Sequence, residues 1–486
     1  MSQKTPAIVW FRHDLRLADN PALHAAVETG KPLTLLYILE EGSDVRPHGG
    51  ASLWWLDKSL RALRAQIETH GGALTLRRGR AADIVPEIAS STEADAVYWN
   101  RRYDQAGRSV DADLKLALNE NGLTAQSFNG SLLTEPWTVK TGSGGYYKVF
   151  TPYWKSVRAN YSAPAPIPEP GPSALAGPNV ASDTLDDWDL HPQNPDWSEG
   201  FVPVWTPGEA GAQARLGSFL NGPANRYGAD RNRPDIEDGT SGLSPHLRWG
   251  EISPVHIWRT VKDGMAAGRL DEENAMVFLS EIVWREFAYV LLYHNPDLAD
   301  DNYNDDFQHM PWRDNEEDYR RWCRGQTGYP IVDAGMRQLW HTGWMHNRVR
   351  MIVGSFLTKH LLIHWSRGED WFWDTLVDAD PASNAASWQW VAGSGADAAP
   401  YFRVFNPITQ GEKFDETGDY VRHWCPEIAA LPDKHLFSPW SAPQSVLDTY
   451  KIQLGTTYPA PMIDHKDGRQ RALDAYDILK KKREAA

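Results

Sequence analysis

Residues 7–12, "AIVWFR", begin the passage that decides the fold, followed by "ALHAAVE" (22–28) and "LTLLYIL" (33–39). The first and third are short runs rich in β-branched and aromatic residues, and the middle one has helical spacing. Two further runs, "ALTLRRG" (73–79) and "AVYWN" (96–100), continue the series, with a helical "WLDKSLRALRAQIETHG" (55–71) ahead of them. Strand and helix alternating at this rhythm predict a doubly wound parallel sheet (Rossmann-like) over residues 6–130. No GxGxxG follows the first strand, so the usual dinucleotide fingerprint is missing. The "GSGG" at 142–145 lacks the Lys-Ser/Thr of a phosphate loop and is read as a surface turn.

Residues 162–209 hold ten of the 33 prolines, which predicts an extended connector. Beyond it the patterning turns helical. "TPGEAGAQARLGSFLNG" (206–222) offers Thr206 as N-cap, Pro207 at N1 and Glu209 at N3. Long apolar-faced segments follow at 270–294, 331–365 and 369–377, and "KKKREAA" at the end reads as frayed. The expected division is an α/β domain at 1–135, a linker at 136–205 and a helical domain at 206–486.

The composition narrows the function. Trp is the commonest aromatic, with 23 residues, which suits either large aromatic cores or chemistry that uses stacked rings. Two cysteines support neither a disulfide framework nor a cysteine-based metal site. No apolar run reaches the roughly 18 residues of a membrane span, and the start has no signal-peptide core. An intracellular, cytoplasmic protein is expected. The net charge of −15 argues against indiscriminate nucleic-acid binding but leaves room for a local basic groove.

Three predicted helices carry polar residues in unusual places. In "NAMVFLSEIVWREFAYVLLYHN" (274–295), Phe278, Glu281, Trp284 and Arg285 share one face. Either Arg285 neutralises Glu281, or this face lines a polar pocket. "GWMHNRVRMIVGSFLTKHLLIHW" (343–365) is read as a second helix, with Asn347, Arg350 and Met351 on one face and Arg348 on another. His360 and His364, at i and i+4, have metal-pair spacing, but no third ligand accompanies them and a plain helix surface is the preferred reading. "DADPASNAASWQWVAG" (378–393) predicts a helix capped by Asp380, with Pro381 at N1 and a stop at Gly393. Asn384 and Trp388 then share a face, while Trp390 points almost oppositely. This is either a capped core helix or a helix whose positive end faces a partly anionic ligand.

Taken together these segments resemble the photolyase/cryptochrome family of blue-light flavoproteins. The likeness rests on "WFRHDLRLADNPAL" (10–23), "YYKVFTPYW" (146–154), "GTSGLSPHLRWGEISP" (239–254), "TGYPIVDAGMRQLWHTGWMHNRVRM" (327–351), "DADPASNAASWQW" and "DAAPYFRVFNPITQGEKFD" (397–415). It implies FAD, active as FADH−, in the helical domain. Tyr227, Thr240, Ser241, Gly242, Leu243 and Ser244 would hold its phosphates and ribitol. Phe278, Arg285, Asn347, Arg350, Asp378 and Asp380 would complete the pocket, with Asn384 facing flavin N5. It also implies light-driven electron transfer to cyclobutane pyrimidine dimers in UV-damaged, double-stranded DNA, by a monomer. Glu281 and Asn347 would hydrogen-bond the dimer, Trp284, Met351 and Trp390 would form its walls, and Arg348 and Arg403 would hold flanking phosphates. Trp388, Trp365 and Trp312 match the family's electron relay.

Within the family the likeness is strongest to the bacterial class III photolyases, which are related to plant-type cryptochromes. Repair of 6-4 photoproducts is disfavoured, because that branch has histidines where this chain has Asn347 and Met351. A signalling cryptochrome is the main alternative. Plant-type receptors usually have Asp facing N5 and at the Asn347 position, with Tyr at the Trp390 position, whereas Asn384, Asn347 and Trp390 stand here. Trp390 also disfavours a DASH-type cryptochrome. The antenna is expected to be 5,10-methenyltetrahydrofolate, in a pocket other than the one marked by an Asn-Glu pair, whose place Ala106 and Gly107 take.

Overall fold

The computed structural model describes residues 5–42, 45–398 and 402–485. These pack as two compact units, Met1–Asp196 with Trp205–Asn225 and Ser241–Pro296, and Trp197–Val204 with Arg226–Thr240 and Asp297–Ala486.

The first unit is built on five parallel strands: β1 (Ala7–Phe11), β2 (Leu33–Glu40), β3 (Leu74–Gly79), β4 (Ala96–Asn100) and β5 (Thr124–Phe128). Their order is β3-β2-β1-β4-β5, with Ala7 opposite both Leu33 and Ala96. Every residue of β1 is buried, as expected when helices cover both faces of a parallel sheet. Helices Pro21–Glu28, Gly50–Thr69, Ala81–Thr92 and Gln105–Glu120 alternate with the strands, as the sequence pattern predicts. Part of the Pro-rich connector packs on this sheet: Leu33 N–H donates to the Ala176 carbonyl, and Leu175 is fully buried. Gly177 is required there, because a Cβ would lie 1.9 Å from the Leu33 carbonyl oxygen.

The packing crosses the expected boundary at 205/206, since residues 205–225 and 241–296 belong with the sheet. Buried polar ties explain why. Arg16 donates to the Gly250 carbonyl at 2.8 Å, and the buried Glu286 carboxylate accepts from Leu133 and Thr134 N–H at 2.8 and 3.2 Å. Glu209 likewise accepts from Leu17 and Ala18 N–H at 2.8 and 3.2 Å. That use of Glu209 corrects the expected capping box. The helix begins at Glu209, with Gly208 rather than Thr206 as its N-cap.

The second unit is helical. The predicted helix over 343–365 is a correction too: it is interrupted and replaced at both ends. Pro330–Thr342 ends at the left-handed Gly343, where a Cβ would meet Val377 and Phe201. Asn347–Ser355 then starts behind an N-cap at His346 and runs into a π turn at Phe356–His360, and a separate helix begins at Trp365. His360 and His364 therefore do not share a helix face. His360 instead lies 2.9 Å from His465, at the start of the His465–Ala485 helix. That helix takes in residues 480–485 of the tail expected to fray, and Ala486 lies outside the described residues. The Asp380-capped helix stands as predicted, spanning Pro381–Ala392 and closing at Gly393.

Candidate functional site

In the first unit the candidate residues lie on the Glu272–His294 helix, started by an Asp271 side chain that accepts from Asn274 N–H. Phe278 is buried against Phe219, with ring centroids 4.7 Å apart. Arg285 donates to the carbonyls of Ser131 at 2.7 Å and Leu247 at 3.5 Å, and its guanidinium lies over the Tyr289 ring. Glu281 is half-buried and Trp284 is exposed. Ser241, Gly242, Leu243 and Ser244 lead into the short Ser244–Arg248 helix. Gly242 has φ +62, and a Cβ there would lie 3.3 Å from the Arg215 guanidinium. Hydroxyls and a closely approached backbone beside a guanidinium make a donor set suited to phosphate oxygens.

In the second unit Asp380 accepts from Ala382 and Ser383 N–H at 3.0 and 2.8 Å, which fixes the start of the 381–392 helix. Two residues earlier, Asp378 receives both carboxylate contacts from Arg350 Nη2, at 2.9 and 3.1 Å, while Arg350 Nε donates to the Met345 carbonyl. Asn384 is buried one turn into the helix. Its Nδ2 donates to the Glu369 carboxylate at 2.7 Å and to the Glu369 carbonyl at 3.0 Å. The amide nitrogen is committed to protein, so Oδ1 is the end left to face a ligand. Tyr227 is buried and Thr240 half-buried in this unit.

Asn347 is exposed at the first turn of its helix, beside the half-buried Arg348 and Met351. Arg348 donates to Asn232 at 2.7 Å and lies 4.4 Å over the Phe414 ring. Burial lowers its pKa, and the positive charges of Arg231 and Arg403 lower it further. The Arg231 and Arg403 guanidinium groups thus both bear on Arg348, a disposition that favours an anion. Trp390 is half-buried and donates from Nε1 to the Asp397 carbonyl at 3.0 Å. Lys359 is fully buried beneath this stretch, donating to the Ala392 carbonyl and lying 3.3 Å over the Phe402 ring.

Trp388 is buried edge-on to Phe372 (4.9 Å) and Trp322 (6.1 Å), and its Nε1 has no partner among the described residues. Trp365 is fully buried and donates to Asn302 at 2.8 Å. His364 touches both Trp365 (5.3 Å) and the half-buried Trp312 (5.2 Å). Sequence reasoning missed Glu369, Arg215 and Arg231. Glu369 lies fifteen residues before its partner on another helix, so no local spacing could reveal it; Arg231 was visible only as one basic residue in "RYGADRNRPDIEDG".

A second cluster lies at the carboxyl ends of the strands in the first unit. Arg102 pairs with Glu40 at 2.5 Å, while its Nε and Nη2 are buried without hydrogen-bond partners among the described residues. His48 Nδ1 is in the same condition, with its ring 5.2 Å from Trp249. Burial, with Arg248 and Arg102 nearby, lowers the His48 pKa to about 3, so the imidazole is neutral at pH 7. Arg102 Nε lies 3.9 Å from Asp104, which leaves Nη2 as the uncommitted donor of a cluster suited to a planar ligand with an anionic group.

A family model described as DNA photolyase matches residues 7–172, and one described as the FAD binding domain of DNA photolyase matches residues 278–478. The chain belongs to the photolyase/cryptochrome family. It is 52% identical to the deoxyribodipyrimidine photo-lyase of Agrobacterium fabrum (strain C58), covering 99% of this chain and 100% of that protein. A solved bacterial class III photolyase from Agrobacterium tumefaciens superposes with a TM-score of 0.95 at 52% identity, covering 99% of both chains. Cryptochrome-1 of Arabidopsis thaliana is 35% identical over 96% of this chain and 70% of its own length.

Proposed function

We infer that this chain is a deoxyribodipyrimidine photo-lyase, a light-driven DNA-repair enzyme that splits cyclobutane pyrimidine dimers. The end-to-end likeness to the Agrobacterium photo-lyase carries the reading. The residues present fit FAD. Ser241, Gly242 and Ser244 offer hydroxyls and close backbone approach for phosphates, and Asn384 presents an amide oxygen. Tyr227, Thr240, Leu243, Phe278, Arg285, Asn347, Arg350, Asp378 and Asp380 complete the proposed FAD set. FAD held there in its reduced form would supply the light-driven electron transfer that splits the dimer.

The protein's own part is to bind, orient and keep charge in place. Glu281 and Asn347 hydrogen-bond the dimer, and Glu281 holds the negative charge that arrives there. Trp284, Met351 and Trp390 wall in its apolar faces. Two carbon–carbon bonds of the cyclobutane ring break, two C=C bonds re-form, and no net oxidation occurs. Arg348 and Arg403, now joined by Arg231, hold flanking phosphates, which reconciles an acidic chain with DNA. Flipping a dimer from duplex DNA costs little because it stacks and pairs poorly. Asn384, as an amide anchored to Glu369, has no proton to give at N5. That supports repair over signalling.

Trp388, Trp365 and Trp312 form the proposed relay that reduces oxidised FAD. For the antenna, methenyltetrahydrofolate remains the proposal, and the chemistry of the Arg102–His48–Trp249 cluster fits an anionic pigment. A monomer acting on duplex DNA in the cytoplasm completes the reading. Among the described residues no helix is long and apolar enough to cross a membrane.

The test is thymine-dimer DNA exposed to the reduced protein under blue light, with a dark control and a 6-4 substrate alongside. Light-dependent loss of cyclobutane dimers alone is expected. No such loss would overturn the repair reading in favour of a cryptochrome-like photoreceptor, the alternative that the likeness to Arabidopsis cryptochrome-1 supports.

A further inference from the structure

The segment "YYKVF" (146–150) does a job that the proposed function does not yet use. Phe150 and Trp284 are stacked face to face, with centroids 3.6 Å apart and planes 8° from parallel. Phe287 meets both rings from the side, at 6.0 Å from Phe150 and 5.8 Å from Trp284. Four residues earlier, Tyr146 stacks on His294 of the same helix, at 4.3 Å and 7°. Two parallel stacks therefore pin this segment along the 272–294 helix. Phe150 is 7% exposed, whereas Trp284 is 36% exposed. Phe150 takes one face of the indole and Phe287 meets it edge-on, while 36% of the Trp284 surface stays exposed.

An exposed indole without such backing would sample several rotamers and lose that freedom on binding a flat ligand. Held on a buried ring, its plane is set beforehand. We propose that Phe150 is a positioning residue for damaged-base recognition, holding Trp284 in the plane that meets the pyrimidine dimer. This rests on the reading of Trp284 as a wall of the dimer pocket. It gives the 146–150 segment a direct role in telling a dimer from intact bases, although Phe150 itself does not touch the substrate. A rigid aromatic wall rewards a splayed, unstacked lesion and offers nothing to bases that stay in the duplex.

The experiment measures dissociation constants of the FAD-loaded protein for a thymine-dimer oligonucleotide and its undamaged twin, in wild type, Phe150→Ala, Phe150→Tyr and Trp284→Ala. Repair yield per bound dimer and Tm are recorded beside them. Phe150→Ala is expected to weaken dimer binding about 2- to 10-fold, the range for loss of an aromatic pair. Binding to undamaged DNA should hold, so the discrimination ratio falls, and Phe150→Tyr should restore it. If Phe150→Ala does not fold, Phe150→Leu, which keeps volume without a ring face, reads the same quantity. Equal losses on both DNAs, or no loss while Trp284→Ala does weaken dimer binding, would overturn the positioning role. Unchanged dimer binding in Trp284→Ala overturns it at its root, because the wall itself would then be misassigned.

Discussion

Glu281 is the residue on which the proposed repair chemistry turns, and its surroundings set what its loss should do. It projects half-buried from the middle of a helix whose next turn is anchored by Arg285 and Glu286. Removing its carboxyl leaves that framework standing. Glu281→Ala should therefore retain FAD, yet bind dimer DNA more weakly by about 1–3 kcal/mol, the range for a lost hydrogen bond to a charged or buried group. Repair yield should fall with it. Absorbance at the flavin band and a binding titration check the two halves, and unchanged repair would refute the role. Asn384 was legible as a polar residue on the Trp388 face. The carboxylate behind it was not, because that contact closes between two helices rather than along one.

At the scale of elements, the 365–375 and 381–392 helices approach so closely that one glycine decides their spacing. A Cβ on Gly368 would lie 2.1 Å from the Trp388 ring, inside any permissible contact. Gly368→Ala should overpack this seam and cost about 1–3 kcal/mol. A lower Tm with altered Trp fluorescence and slower photoreduction is the expected result; wild-type Tm would show that the helices can part freely. The neighbouring 343–365 stretch shows why periodicity misled. Its apolar spacing is helical almost throughout, but Gly343 ends one helix, and a π turn carries Lys359 to the Ala392 carbonyl. The π turn has no local signature, whereas Gly343 is the same kind of left-handed glycine stop as Gly393 and went unread inside an apolar run. By contrast Asp380, Pro381 and Gly393 are a start and stop written within sixteen residues, and the helix follows them.

For the whole molecule, buried ionisable groups predict how stability follows pH. Burial raises the Glu286 pKa to about 7, against lowering by Arg285 and two backbone N–H groups. The unfolded chain gives up that proton first, so stability from this group falls as pH rises from about 4.5 through 7. A shift of that size corresponds to about 3 kcal/mol. Glu286→Gln should flatten the alkaline side of a Tm-against-pH curve between pH 5 and 8, and an unaltered curve would contradict the assignment. The buried His48, His346 and His360, with pKa values lowered to about 3 by burial, act in the other direction. The unfolded chain takes up their protons first, and stability falls as pH drops below about 6.5. The alternation that announced the sheet was readable along the chain. That residues 205–225 and 241–296 group with the sheet was not readable, because Glu209 and Glu286 are bonded to backbone far away in sequence.

The isolation of the Trp388 ring nitrogen has a further consequence. An indole that loses an electron becomes a strong acid at that N–H, and a nearby oxygen or water would take the proton and trap the vacancy. Trp388 has no such acceptor among the described residues, whereas Trp365 is bonded to an amide. In the proposed relay, positive charge arriving at Trp388 finds no protein group among the described residues to take its proton. A charge that keeps its proton can return or move outward, and the lack of a protein acceptor at that one nitrogen favours a reversible first step of the wire.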